Sequence, residues 1–346
     1  MRYYMLVIFL LFCRTGWANT ESEIEFYSRM APSVVKIEAH NTNGRVSIGS
    51  GVMIAEGIAA TNCHVTRFAR SVEVIKGGLA VSADSQISDL ERDICILKVP
   101  GMSAPVVKKT NGKLHLGQDV VALGYVAGLG PRMSAGEVTS LYEYRGSRVV
   151  ESTAAFTSGA SGGGLFDRQG NLLGLVTFFR HGKDDDFHFS IPVDWIFDAL
   201  QKIPAKPIAP IEGDAPFWQK TAANQPNFLR AITLRADGQA ESLRSLSQSW
   251  TEAEDNNPDA WFMLGNANQQ LGRFDDAIRA FRKAVSKDAE HGGAWLALGV
   301  SYVRQRLKGE SEAILSVLRS LDIKLAEKFT ALKTEYCFEN GDDVTC

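Results

Sequence analysis

Four prolines within residues 203–216, Pro204, Pro207, Pro210 and Pro216, divide the chain between two hydrophobic periods that no single layer of structure can satisfy. Proline fixes φ and lacks an N–H, so this density interrupts helix and sheet alike and predicts a stiff linker over 203–216. Before it, short apolar runs alternate with Gly, Asn and Ser clusters: Ser33–Glu38, Gly51–Ala55, Ser71–Ile75, Asp93–Val99, Asp119–Leu123, Arg148–Ser152 and Leu172–Phe179. Short runs punctuated by turn residues predict a β-barrel or sandwich, and no helical period intervenes before Val193–Leu200. After it the spacing becomes helical, and Trp261, Leu264 and Gly265 return 34 residues later as Trp295, Leu298 and Gly299.

The chain of 346 residues is long enough for two or three domains, and 45% apolar against 22% charged residues excludes bulk disorder. A formal charge of -3 gives no electrostatic case for nucleic-acid binding. Arg2, the apolar run Met5–Phe12 and the small residues Gly16 and Ala18 read as a signal peptide, residues 1–18, cleaved after Ala18. Its removal takes away Arg2 and Arg14 and no acids, leaving 35 basic against 40 acidic residues. The expected location is therefore across the inner membrane, in the periplasm, with no membrane span left after cleavage.

Three local signals carry chemistry. His64 lies in Thr61-Asn62-Cys63-His64-Val65, Asp93 opens the alternating run Asp93-Ile94-Cys95-Ile96-Leu97, and Ser161 centres Gly159-Ala160-Ser161-Gly162-Gly163-Gly164. A serine hydroxyl is a weak nucleophile without an imidazole to take its proton, and the imidazole needs a carboxylate to set its tautomer. The chain order His, Asp, Ser is that of the chymotrypsin type. A tight turn through Gly159-Ala160-Ser161 is expected to aim the N–H groups of Gly159 and Ser161 into one oxyanion pocket.

Residues from about 28 to 200 resemble the trypsin-like peptidases of the HtrA (Deg) group. The resemblance rests on those three motifs together with Gly49-Ser50-Gly51-Val52, Val120-Val121-Ala122-Leu123-Gly124, Gly136-Glu137-Val138, Gly174-Leu175-Val176 and Phe189-Ser190-Ile191-Pro192, all in order. It implies an all-β fold of two six-stranded barrels over residues 19–202, with the triad in the cleft between them. It also implies peptide-bond hydrolysis without cofactor or metal, with His64 as base, Asp93 as its orienting acid and Ser161 as nucleophile. Two positions depart from the pattern: Ala160 replaces the usual Asn or Asp, and Gly164 the usual proline. By the same resemblance Ala155, six residues before the nucleophile, and Phe156 form the base of the specificity pocket. They carry no acid, so a modest apolar residue before the scissile bond is expected. Val176 and Thr177 are expected on the strand that pairs with substrate backbone.

The helical part, residues 217–335, resembles the tetratricopeptide repeat, in which Gly265 and Ala277 mark close helix crossings. Residues 226–250 read as a divergent first unit with Leu243, Leu246 and Trp250 inward, and residues 336–346 as a tail. The whole reads as a multidomain chain, β-barrels followed by all-α repeats that bind a protein partner or substrate. Four cysteines remain after the leader. Cys337 and Cys346 flank a polar loop they could close by a disulfide. Cys63 and Cys95 flank the base and the acid, either as buried thiols or as a disulfide fastening the two segments. The competing reading is a catalytically silent protease fold serving as scaffold for the repeats. His40, His115, His181, His188 and His291 read as surface or loop residues, and no spacing of ligands predicts a metal site.

Overall fold

A computed structural model describes residues 21–182 and 186–339. The expected signal peptide and Cys346, and so the Cys337–Cys346 pairing, lie outside the described residues. Among these residues no helix is long and apolar enough to cross a membrane.

Helix α1 (Glu23–Met30) opens on a capping box in which Ser22 and Glu25 each take the other's backbone N–H. Seven strands follow: β1 (Val34–Asn41), β2 (Val46–Ala55), β3 (Ile58–Thr61), β4 (Ala69–Lys76), β5 (Leu79–Ser82), β6 (Ser85–Asp89) and β7 (Ile94–Lys98), with the one-turn helix α2 (Cys63–Thr66) after β3. Their alternation decides which face is core. Val35, Ile37 and Ala39 of β1 are fully buried while Lys36, Glu38 and His40 between them are only partly so. The strands pair in the order β6-β7-β3-β2-β1-β4-β5, and the Ala83 N–H bonded to the Val72 carbonyl (2.9 Å) draws the β6 end back onto β4.

The second barrel comprises β8 (Lys108–Lys109), β9 (Asp119–Val126), β10 (Gly130–Tyr144), β11 (Ser147–Ser152), β12 (Gly164–Phe166), β13 (Asn171–His181) and β14 (Asp186–Pro192). Strand β12 pairs with both β9 and β13, which closes a ring of six strands and leaves β8 outside it against β13. Helix α3 (Val193–Lys202) then buries Trp195, Ile196 and Ala199.

Residues 203–216 do not hang free between domains. Lys206–Pro207 form β15, an edge strand antiparallel to β6. Ile211 N–H then bonds the Arg67 carbonyl at 2.7 Å, and Gln86 Nε2 the Ala209 carbonyl at 3.2 Å. Proline is tolerated here because an edge strand leaves one row of N–H groups unpaired. The segment therefore runs along the first barrel and delivers Phe217, wholly buried, into a core shared by barrel and repeats.

The repeats are antiparallel helix pairs: α4 (Asn227–Ala236) with α5 (Ala240–Ala253), α6 (Pro258–Gln270) with α7 (Phe274–Lys287), and α8 (Gly292–Arg304) with α9 (Lys308–Leu321), followed by α10 (Ile323–Glu339). The divergent first pair exists, with Leu243 and Trp250 buried and Leu246 half-buried against them. Phe228 of α4 stacks on Tyr142 of β10 at 5.2 Å, so the first repeat grows directly off the second barrel. Within the second pair, a Cβ on Gly265 would stand 2.3 Å from the ring of Phe281. Gly265→Ala should therefore lower stability by about 1–3 kcal/mol through overpacking, read as a lower thermal midpoint of the helical signal. An unchanged midpoint would refute the close crossing.

Candidate active site

His64 sits on the single turn α2, directly after Asn62, and Asp93 in the turn before β7. Asp93 adopts φ 61°, a region that costs a non-glycine residue energy and is tolerated best by Asp and Asn. The strained turn aims the carboxylate, fully buried, at α2. Its Oδ1 accepts the His64 backbone N–H at 2.8 Å, and its Oδ2 lies 2.7 Å from His64 Nδ1. Cys63 N–H also bonds the Asp93 carbonyl (3.3 Å), and a disulfide joins Cys63 to Cys95 across a Cα separation of 4.7 Å. Of the two readings the sequence left open for these cysteines, the bonded one holds. The imidazole keeps 19% of its side-chain surface exposed while the acid has none.

Ser161 lies in the loop between β11 and β12. Its Oγ donates to the Thr177 carbonyl at 3.1 Å, and among the described residues no hydrogen bond joins it to His64. The two segments nevertheless meet: Asn62 Nδ2 donates both to the Asp93 carbonyl (3.0 Å) and to Thr177 Oγ1 (3.2 Å). Thr177 is an extra residue in β13, because the pairing steps from Val176↔Ser190 to Phe178↔Phe189 across it. Such a bulge re-aims backbone groups beside a cleft.

The Ala160 N–H is spent on the Thr157 carbonyl (3.1 Å) and the Gly162 N–H on Val176 (2.9 Å). Among the described residues nothing accepts the N–H groups of Gly159 or Ser161. Gly159 at φ 96° makes that turn possible, and a Cβ there would meet the backbone of Tyr125 and Ala127 at 2.9 Å.

Ser50, noted in sequence only as part of a Gly-Ser-Gly stretch, organises this loop. Its N–H donates to the Ser161 carbonyl (2.8 Å), and its Oγ donates to the Gly159 carbonyl (2.8 Å) while accepting the Tyr125 N–H (2.8 Å). The flanking Gly49 is the signal that could have marked it, since a Cβ there would stand 2.7 Å from Val65 and 3.2 Å from the Ser161 carbonyl. Ser50→Ala removes both Oγ bonds in a fully buried position. It should reduce the reactivity of Ser161 toward a fluorophosphonate about tenfold, read below a thermal midpoint that falls because the Tyr125 N–H is left without its acceptor. Equal reactivity would deny Ser50 this part.

The expected substrate-contacting residues divide. Ala155 is exposed, and Phe156 is buried with its ring 4.9 Å from His188 and 6.5 Å from Phe179. Val176 is a correction: its N–H bonds Gly163 and its carbonyl accepts from Gly162, so its backbone is engaged by the serine loop and offers no free edge for a substrate. Thr177 has its side chain turned inward, donating to the Leu175 carbonyl (2.8 Å). His188 is a second correction. It lies inside β14 with Nδ1 3.4 Å from the Phe156 N–H, and burial holds its imidazole below the usual histidine range. Sequence missed it because a single alternating position cannot report which face meets the core. One set of described residues, Glu38, His40 and Glu73, brings possible metal-ligand atoms together on β1 and β4, although Lys36 already lies 2.5 Å from Glu38.

Residues 49–175 match the trypsin-like peptidase domain, and residues 248–289 and 262–323 the tetratricopeptide repeat. A probable periplasmic serine endoprotease DegP-like of Halomonas elongata is 28% identical over 188 residues, 52% of this chain and 40% of that protein. The anti-sigma-I factor RsgI9 of Acetivibrio thermocellus is 28% identical over 180 residues, 50% of this chain and 25% of that protein. The crystal structure of the active form of Rv3671c protease from M. tuberculosis aligns with a TM-score of 0.49 and 27% identity, over 54% of this chain and 89% of that one. The chain thus spans less than half the length of these curated relatives. Residues 49–175 carry a trypsin-like peptidase domain similar in sequence to DegP-like endoproteases, and tetratricopeptide repeats follow it.

Proposed function

We propose that this chain is an exported serine endopeptidase that cleaves protein substrates through an acyl-enzyme, with His64 as base, Asp93 as orienting acid and Ser161 as nucleophile. The observation that carries the reading is the buried Asp93 carboxylate 2.7 Å from His64 Nδ1, tied through Asn62 to the strand that holds Ser161, in whose loop the Gly159 and Ser161 N–H groups have no acceptor among the described residues. The carboxylate holds the proton on Nδ1 and leaves Nε2 free to accept. Rotation of Ser161 about Cα–Cβ brings its hydroxyl from the Thr177 carbonyl toward Nε2. As the Ser161 proton passes to Nε2, Oγ attacks the substrate carbonyl carbon, and the two N–H groups receive the oxyanion. The imidazolium then protonates the departing amine, leaving an acyl ester on Ser161. Water attacks that ester with His64 again as base and restores the enzyme. Ala155 and Phe156 carry no acid to attract Lys or Arg, which supports a small apolar residue before the scissile bond. A periplasmic location is in keeping with the Cys63–Cys95 disulfide, which persists in oxidising compartments. The repeats serve as the protein-binding part.

A second reading, a silent scaffold whose repeats bind a partner, is favoured by the one bond that points away from catalysis, Ser161 Oγ to the Thr177 carbonyl. A fluorophosphonate probe separates the two. Labelling of the wild type that disappears in Ser161→Ala and His64→Ala supports the peptidase. A wild type that never reacts, alone or with an unfolded protein present, leaves the scaffold.

A further inference from the structure

Among the described residues the Asp93 carboxylate has one side-chain donor besides His64, and it comes from the far side of the proline-rich segment. Trp218 Nε1 donates to Asp93 Oδ2 at 2.9 Å, the same oxygen that faces His64 Nδ1. We propose that Trp218 is a positioning residue of the triad, supplied by the segment that leads into the repeats, so that the helical domain completes the catalytic site; this rests on the peptidase function proposed above.

Three features support it. First, the carboxylate is fully buried, so water cannot replace a missing donor on Oδ2. Thr177, which meets the Asp93 segment only through Asn62, spends its hydroxyl proton on the Leu175 carbonyl. Second, the half-buried indole is held by two rings. Its plane stacks on Phe178 at 4.9 Å and 7°, and its edge meets the His64 ring at 5.3 Å and 85°. Its backbone carbonyl accepts from Arg180 Nη2 and Gln225 Nε2, both at 3.0 Å. Third, the anchors on either side belong to both domains. Phe217 N–H bonds the Glu91 carbonyl (3.1 Å), two residues before Asp93, and Lys220 Nζ pairs with the Glu91 carboxylate (2.5 Å). Phe217 then packs against Phe228 of the first repeat helix at 6.2 Å. A group fixed this way limits rotation of the carboxylate about its Cβ–Cγ bond and blocks the His64 ring from swinging off it.

The test uses the full chain. Trp218→Phe keeps a ring on Phe178 and removes the N–H. Incorporating benzothienylalanine at 218 keeps the bicyclic shape and removes only the N–H. In both, the low-field proton resonance of the His64–Asp93 hydrogen bond should move or broaden relative to wild type. Turnover of a fluorogenic peptide should show kcat down about tenfold with KM within about twofold. An unmoved resonance in the benzothienyl protein would overturn the proposal. So would a rise in turnover in either variant, which would make Trp218 a block on the cleft. The resonance is read without substrate. If the wild type shows no turnover at all, the peptidase reading fails while the resonance still decides whether Trp218 orients the pair.

Discussion

On the proposed mechanism, Asp93→Asn should lower kcat/KM by about 10⁴-fold while the protein stays folded. Asparagine has the same shape, and it is the residue best able to keep φ at 61°. The loss comes from donor and acceptor count. Oδ1 accepts the His64 backbone N–H, and Oδ2 accepts from His64 Nδ1 and Trp218 Nε1. An amide must turn its NH2 toward one of these positions, so either orientation sets donor against donor. The cheaper outcome is for His64 to give up its Nδ1 proton and carry it on Nε2, where it can no longer take the proton of Ser161. Peptidase assays, with circular dichroism as the control for folding, check this. Activity above about a tenth of wild type would mean that Asp93 does not set the tautomer.

Cys63→Ala combined with Cys95→Ala removes the covalent tie between the two segments that carry base and acid. The bridge spans a sequence separation of 32. Closing a loop of that length restricts the unfolded chain enough to stabilise the fold by about 3–4 kcal/mol on the chain-entropy account. Both sulfurs are also fully buried, so their removal leaves unfilled space beside β7. Chemical denaturation should show the loss as a lower midpoint with a somewhat steeper slope, because the unfolded chain freed of the bridge exposes more surface. Reductant applied to the wild type should reproduce most of it, and a variant with the wild-type midpoint would show that hydrogen bonds from Cys63 and His64 to Asp93 already suffice.

Much of this molecule is legible one residue at a time. The change of period across residues 203–216 separates strands from helices, because period two and period 3.6 respond to local geometry. The proposed triad could be nominated because each member stands in its own short motif, and the chain order limits how those motifs can be combined. The first repeat pair was legible through Leu243, Leu246 and Trp250 although its Trp-Leu-Gly signature is gone.

What escaped reading depends on partners distant in sequence. Prolines announce that no helix continues through 203–216, yet they say nothing about whether Lys206–Pro207 finds an open sheet edge at β6. Val176 falls within an apolar run, and only the serine loop docking on it consumes its N–H and carbonyl. His188 alternates correctly for either face, and the rings of Phe156 and Phe179 packed on it decided that it is buried.

The amino-acid order alone settled the two fold types and their sequence along the chain, and it singled out His64, Asp93 and Ser161 for the proposed roles of base, acid and nucleophile, since these depend on residue type and on neighbours a few positions away. Tertiary structure decided that Cys63 meets Cys95, that Ser50 pins the serine loop and that Trp218, 125 positions after Asp93, touches its carboxylate. Those contacts exist only once closed sheets bring distant backbone segments within hydrogen-bonding reach, and no local preference encodes a distance between strands.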